Sequence, residues 1–136
     1  MTIPGAPVPF ARPRFGGGRV YQAPDYARWR TGAALVLRAA RLPPIVAGPV
    51  SVSIVAVHPR PATRPSWCSR EVWTTGGRCS AVTRMDLDNV AKAVLDAATD
   101  AGLWSDDRQV ASISAVSVYA AVGEAPHVEV EVTPLA

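Results

Sequence analysis

Asp86-Leu87-Asp88-Asn89-Val90-Ala91-Lys92-Ala93-Val94-Leu95-Asp96, followed shortly by Ser105-Asp106-Asp107-Arg108-Gln109-Val110, sets several carboxylates around the single lysine of the chain. Every other basic side chain is an arginine, so Lys92 is not one of a scatter of surface lysines. Carboxylates held this close oppose one another's ionisation unless something cationic sits between them. Hard divalent ions take oxygen ligands and keep part of their water shell, which makes Mg²⁺ or Mn²⁺ the fitting class. Asp86, Asp88 and Asp107 are candidate ligands for one or two such ions. An ion held there could activate water for attack on phosphorus and stabilise the leaving oxygen. Lys92 would stabilise charge developing on the phosphoryl oxygens or orient that water.

These side chains need a helix and a return. Leu87, Val90, Ala91, Val94, Leu95 and Ala98 fall on one side of a helix that begins near Asp88 and ends at Gly102, a natural left-handed cap. Asp88, Asn89, Lys92, Asp96 and Thr99 take the opposite arc. Asp88, Lys92 and Asp96 project from successive turns about 6 Å apart. Asp86 lies just outside the helix start, where an extended residue can bend its side chain back. Asp106 and Asp107 come after the helix has reversed into a strand, which returns the Asp107 region alongside the helix at an unspecified turn. An N-capped amphipathic helix with surface pairs Asp88–Lys92 and Lys92–Asp96, each worth about 0.3–0.5 kcal/mol, accounts for part of the pattern equally well. It leaves Asp86 and the Asp106-Asp107 pair as coincidences.

The rest of the chain supplies a sheet and a second helix. Ile3–Phe10 alternates weakly and is interrupted by Pro4, Pro7 and Pro9, which suits an edge strand or an extended arm. The basic turn Arg12–Arg19 contains Gly16-Gly17-Gly18, which lacks the Lys-Ser/Thr continuation of a phosphate loop and is best read as a hinge. Pro24 and Asp25 open a helix in which Tyr26, Trp29, Ala33, Leu37 and Ala40 recur until Pro43-Pro44 stops it. Val50, Val52, Ile54 and Ala56 alternate as a strand. Val110–Ala120 is a second strand, with a phase shift between Ile113 and Val116 that hints at a bulge. Val128, Val130 and Val132 alternate with Glu129 and Glu131 in a last strand. Residues 59–84, rich in proline and arginine, have no sustained period and suggest a loose hairpin turning at Thr75–Gly77. The expected fold is α/β (α+β): one domain over 1–136, a mixed sheet of about four strands packed against two main helices, with a basic N-terminal arm (1–20) and a long excursion (59–84).

At 136 residues and 49% apolar composition the chain can bury a real core. It has no run of eighteen apolar residues and no secretory signal, so no membrane span and a cytoplasmic location are expected. Cys68 and Cys79 lack metal-type spacing and would stay reduced inside a cell. His58 and His127 have no Cys or His partner at metal spacing, which argues against zinc. Trp104 reads as core. Trp67 and Trp73 could stack on bases, although anchoring the excursion is the commoner role. Residues 1–85 carry twelve arginines against Asp25 and Glu71, a balance of +10, while residues 86–136 carry Lys92 and Arg108 against nine acids, or −7, which recovers the net +3. A basic first part fits a polyanionic partner and an acidic second part a cation. An arginine-rich surface from a GC-rich genome would give the same count.

The segment from Asp86-Leu-Asp88-Asn89-x-x-Lys92-x-x-x-Asp96 through Gly102-Leu-Trp104-x-Asp106-Asp107-x-Gln109-Val110 resembles the signature of the RusA family of Holliday-junction resolvases, found in bacteria, phages and prophages. Pro7-Val-Pro9-x-x-Arg12-Pro-Arg14 is similar to the basic arm of many relatives; residues 59–84 carry no part of the resemblance, and their role stays open. The resemblance implies a small endodeoxyribonuclease of recombination and repair, a homodimer acting on branched DNA with Mg²⁺ or Mn²⁺. It places the catalytic aspartates on Asp86, Asp88 and Asp107 and the lysine on Lys92, with Asn89, Asp96, Asp106 and Gln109 in supporting roles. A two-fold dimer suits a four-way junction, which needs two related nicks. Junctions are read through shape and backbone, so Arg12, Arg14, Arg19, Arg60, Arg64, Arg70, Arg78 and Arg84 are the natural phosphate contacts. A junction-binding protein that does not cut, and a related nuclease for other branched nucleic acids, remain alternatives.

Overall fold

The computed structural model describes residues 1–135. The elements run β1 (Thr2–Pro4), β2 (Arg14–Gly16), β3 (Arg19–Tyr21), α1 (Pro24–Ala39), β4 (Val50–His58), α2 (Arg70–Thr75), β5 (Cys79–Ser80), α3 (Leu87–Asp100), β6 (Val110–Tyr119) and β7 (His127–Pro134), with a 3₁₀ turn at Asp107–Gln109. Five strands form one sheet in the order β1-β7-β4-β6-β5, and β2 with β3 makes a separate hairpin. Among the described strands β4 and β6 pair in parallel and the other strand pairs are antiparallel, while an isolated bridge joins Ile45 and Trp104 in parallel. The mixed sheet under two long helices agrees with expectation, with one strand more than the periodicity gave.

Register decides which side of the sheet is dry. Val52, Ile54 and Ala56 of β4 lie level with Val132, Val130 and Val128 of β7, and these residues, with Val50 opposite Pro134, are fully or nearly fully buried apart from Val132 and Pro134. Over them pack Ala33 and Leu37 of α1 and Ala91, Val94, Ala97 and Ala98 of α3. Alanine at positions 93, 97 and 98 lets the two helices approach closely, and Ala93 meets Ala23 and Tyr26 of the other helix. Leu37 is wholly enclosed, and truncating such a side chain costs about 2–5 kcal/mol.

The parallel pair fixes the direction of α3. The chain enters α3 at the C-terminal end of β6, where Ala81 N–H bonds to Ser117 O and Tyr119 Oη to Val82 O. It leaves at the other end, where Gly102 takes a left-handed φ of 74° and the Leu103 N–H reaches back to Ala98 O. From there β6 returns antiparallel to the helix. β5 covers only Val118 and Tyr119 of β6, and among the described residues Ala111–Val116 has no strand on its outer side. Ile113 and Val116 are about half exposed there, at 50% and 48%.

Three local expectations need correction. The glycine run is not a hinge: Gly17 and Gly18, with φ of 59° and 76°, form the two-residue turn of the β2–β3 hairpin. The excursion contains the short helix α2, capped by Ser69 Oγ on Val72 N–H and closed by left-handed Gly76 (φ 80°), where a loose hairpin was expected. Six residues are too few to show helical periodicity. The register shift of β6 falls opposite Val50/Ser51, not between Ile113 and Val116. The apparent change of phase arises because β6 is incompletely covered on both sides. No helix is long and apolar enough to cross a membrane.

Candidate active site

Asp86 is the N-cap residue of α3, yet its side chain makes no capping bond; only its carbonyl accepts, from the N–H groups of Asn89 and Val90. Asp88 sits in the first turn, where the positive end of the helix dipole favours carboxylates. Both are exposed, and among the described residues neither carboxylate has an ion pair or hydrogen-bond donor. Their oxygens are thus available to a cation, which fits a hard divalent ion.

The surface pairs Asp88–Lys92 and Lys92–Asp96 do not form. The Lys92 ammonium lies 4.6 Å from the centroid of the Phe10 ring, and the Phe10 N–H donates to Asn89 O at 2.8 Å. Asp96 is engaged elsewhere: it accepts from Tyr26 Oη at 2.5 Å and lies 3.8 Å from Arg30. Burial, then the Asp96 carboxylate, pushes the Tyr26 phenol well above its ordinary pKa, so the phenol keeps its proton as the donor in this bond. Arg30 also grips Asp100 through two bonds of 2.6 and 2.9 Å, holding that carboxyl below its ordinary value. Asp96 and Asp100 therefore tie α3 to α1.

The second acidic segment is built as a presenting turn. Asp106 Oδ1 accepts from Arg108 N–H, and the Arg108 guanidinium clamps the same carboxylate, holding it far below the usual range. Gln109 fixes the turn from inside. Its Oε1 accepts from the N–H groups of Ser105 and Asp106, and its Nε2 donates to Ile45 O and Gly48 O, at 2.9–3.1 Å. Asp107 is left exposed on this turn.

Direction now decides what meets what. Asp86, Asp88 and Lys92 occupy the first turns of α3, whereas Asp107 lies beyond its last turn. A 14-residue helix is about 20 Å long, so one chain holds its two acidic ends apart. The turn of the helix that the Asp107 segment faces, left open by the sequence, is the last one. Between the ends runs an open groove of about 400 Å³ lined by Leu87, Ala91, Leu95, Ile113 and Ala115, with Asp88 and Lys92 on its rim.

Among the described residues there is one close trio, which sequence inspection missed because its members are spread over a turn and a strand. Ligand atoms of Glu124, His127 and Glu129 lie within 4.8 Å of one another. Arg78 already fills the centre, with 2.9 and 2.6 Å bonds to Glu124 and one of 2.6 Å to Glu129. The guanidinium holds Glu124 down to about 2 from its usual 4.5 and lowers Glu129 as well. His127 is raised, first by the Ala125 carbonyl and then by Glu129. The signs oppose. The glutamates add stability that is present above their unfolded pKa and lost as pH falls toward the folded value; His127 adds stability below its unfolded pKa that is lost as pH rises through its folded one. Arg78→Ala should lower Tm by about 5 °C near pH 6 and move the midpoint of acid unfolding upward, as followed by circular dichroism. An unchanged acid midpoint would show that the latch contributes nothing.

The arginines divide into two groups. Arg60 bonds to the carbonyls of Trp73, Gly77 and Ala120 and stacks on the Trp73 ring at 3.7 Å. Arg64 holds Cys68 O, and Arg78 forms the latch just described. Arg60 and Arg78 bind the excursion to the body, and Arg64 holds it together internally. Arg12, Arg14, Arg19, Arg70 and Arg84 are exposed. Trp67, 53% exposed, donates to Ser80 O at 2.8 Å and so anchors the excursion, and buried Trp104 donates to Thr99 Oγ1. Cys68 and Cys79 are free thiols; burial, then the Cys68 thiol, raises the pKa of Cys79, which is not a nucleophile's environment. His58 is buried, which lowers its pKa and keeps it neutral.

Residues 4–133 match the family described as Endodeoxyribonuclease RusA. The crossover junction endodeoxyribonuclease RusA of Escherichia coli O139:H28 (strain E24377A / ETEC) is 29% identical over 118 residues, covering 87% of this chain and 81% of that protein. The uncharacterized protein YqaN of Bacillus subtilis (strain 168) is 30% identical over 135 residues, covering 96% and 92%. The bare acid–lysine turn of α3 and the Asp107 turn both lie inside the matched span, and the chain belongs to the RusA endodeoxyribonuclease family.

Proposed function

We propose that this chain is a metal-dependent endonuclease that resolves four-way DNA junctions by paired nicks, and that each of its active sites is shared between two copies. The observation that carries the proposal is the direction of α3, which puts Asp86, Asp88 and Lys92 at one end and Asp107 at the other. A second copy with its β6 antiparallel to the first, across the open edge Ala111–Val116, would set each Asp107 beside the other copy's Asp86 and Asp88. That arrangement would also cover half-exposed Ile113 and Val116 and the groove beside them. Two sites related by a two-fold axis match the symmetry of a junction with two strands to cut.

In such a site Asp86, Asp88 and the partner's Asp107 hold the cation, which when bound, as Mg²⁺ or Mn²⁺, supplies an activated water and stabilises the leaving oxygen. Lys92, which pairs with no carboxylate among the described residues, faces the phosphoryl oxygens as they gain charge. Asp106 and Gln109 hold the turn that presents Asp107. The exposed cations Arg12, Arg14 and Arg19 of the arm and hairpin, with Arg70 and Arg84, contact phosphates without reading bases.

Labelled four-way junction, flap, duplex and RNA substrates test the proposal when incubated with and without Mg²⁺. The expected result is symmetric nicking of the junction that chelation abolishes; equal cutting of flap or RNA would move the chain to another branched substrate. Junction binding should weaken steeply with salt, and Arg12→Ala, Arg14→Ala and Arg19→Ala should each reduce the log–log salt slope by about one. A slope that none of the three changes would remove the arm and hairpin from the DNA interface.

A further inference from the structure

We propose that Phe10 is the positioning residue for Lys92: its ring holds the ammonium over the first turns of α3 without neutralising it. The inference rests on the endonuclease reading only for the catalytic use of Lys92. The contact itself is carried by three observations. The ammonium lies 4.6 Å from the Phe10 centroid. The Phe10 N–H donates to Asn89 O at 2.8 Å, which pins the arm to the exposed face of α3 between Asp88 and Lys92. The ring also stands edge-on to Tyr26, at 5.4 Å between centroids and 78° between planes, while Tyr26 Oη is bonded to Asp96. Phe10 is thus fixed on two sides before it meets the lysine.

The physical point is the choice of partner. A lysine has a flexible four-carbon stem and three donors, and left alone it samples many rotamers. Asp88 and Asp96 stand one turn to either side and could hold it, but a carboxylate would cancel the charge that the phosphoryl oxygens need. An aromatic face attracts the cation through its quadrupole and takes no proton or hydrogen-bond donor from it. Asp96 is kept out of the way by Tyr26 and Arg30, so the same small network that seats the ring also removes the competing acid.

The chain has one lysine, which makes the test direct. In protein grown with ¹³C-labelled lysine, a single ε-methylene resonance reports Lys92. Its protons should be shifted upfield by the ring in the wild type and in Phe10→Tyr, and should return to the free-lysine position in Phe10→Leu. With an unchanged amide spectrum as the check on folding, Phe10→Leu should lower kcat for junction cleavage about tenfold at unchanged KM, and Phe10→Tyr should recover most of it. An unshifted Lys92 resonance in the wild type would remove the contact. A lost ring shift with kcat unchanged would show the contact to be structural only. A wild type that cuts no junction, yet keeps the ring shift, would overturn the nuclease reading and the positioning role with it, while leaving the contact standing. If Phe10→Leu disturbs the arm, Phe10→Met, which fills a similar volume without a ring, carries the same comparison.

Discussion

Mixing Asp88→Asn with Asp107→Asn should restore nicking that neither variant shows alone. Each substitution removes a carboxylate from both sites of a homodimer, and each variant by itself should lose at least about 10³-fold in kcat. In a mixed dimer the two changes fall together in one shared site and leave the other with its full set of acids. After joint refolding, statistical pairing makes half of the dimers mixed, so about a quarter of the wild-type sites return. Their product is a single nick, not the paired nicks of the wild type. The measurement is junction cleavage on a denaturing gel over a range of mixing ratios, and activity should peak at equal amounts. A mixture no more active than its parts would mean that Asp107 serves its own chain, and the shared-site proposal would fail.

The second large effect belongs to a residue that touches no substrate. Gln109→Leu removes four side-chain bonds, two that close the Ser105–Gln109 turn and two that tie it to the loop before β4. At about 1 kcal/mol net for each of the two partly buried bonds and about 0.5 kcal/mol for each of the two exposed ones, the loss is about 3 kcal/mol, or about 10 °C in Tm for a chain of this size. Cleavage should fall with it, because Asp107 loses its platform. Gln109→Glu keeps the acceptor and loses the donor, and should fall midway on both readouts. Thermal unfolding and junction cleavage together check the expectation; a Tm for Gln109→Leu within about 2 °C of the wild type would mean the turn is held by other contacts.

The helices and the three long strands were legible because their apolar residues repeat over enough turns to leave a period. α1 stops before Pro43-Pro44 and α3 at Gly102 for the reasons the residues give. Short elements were not legible: β5 pairs through two residues, and α2 is a single capped turn and a half. In the acidic motif, residue types and spacing identified Asp86, Asp88 and Lys92 as a group. Spacing could not give the side of the helix on which Asp107 returns, because that depends on β6 lying parallel to β4, a pairing between strands that are far apart in sequence. The partners of Arg60 and Arg78 were hidden for the same reason. Both arginines looked like phosphate contacts in a basic segment, and the chemistry that engages them comes from carbonyls and carboxylates across the fold. Phe10 gave no signal at all, since an aromatic in a proline-rich arm carries no period.

Under the shared-site proposal, a helix that parts Asp86 and Asp88 from Asp107 would leave an isolated chain harmless to DNA. With every site then needing two molecules, the cutting rate at low abundance would rise with the square of protein concentration, and dilution alone would extinguish it. A resolving enzyme arranged this way stays silent until enough copies gather on one crossover, and both cuts then become possible in the same encounter.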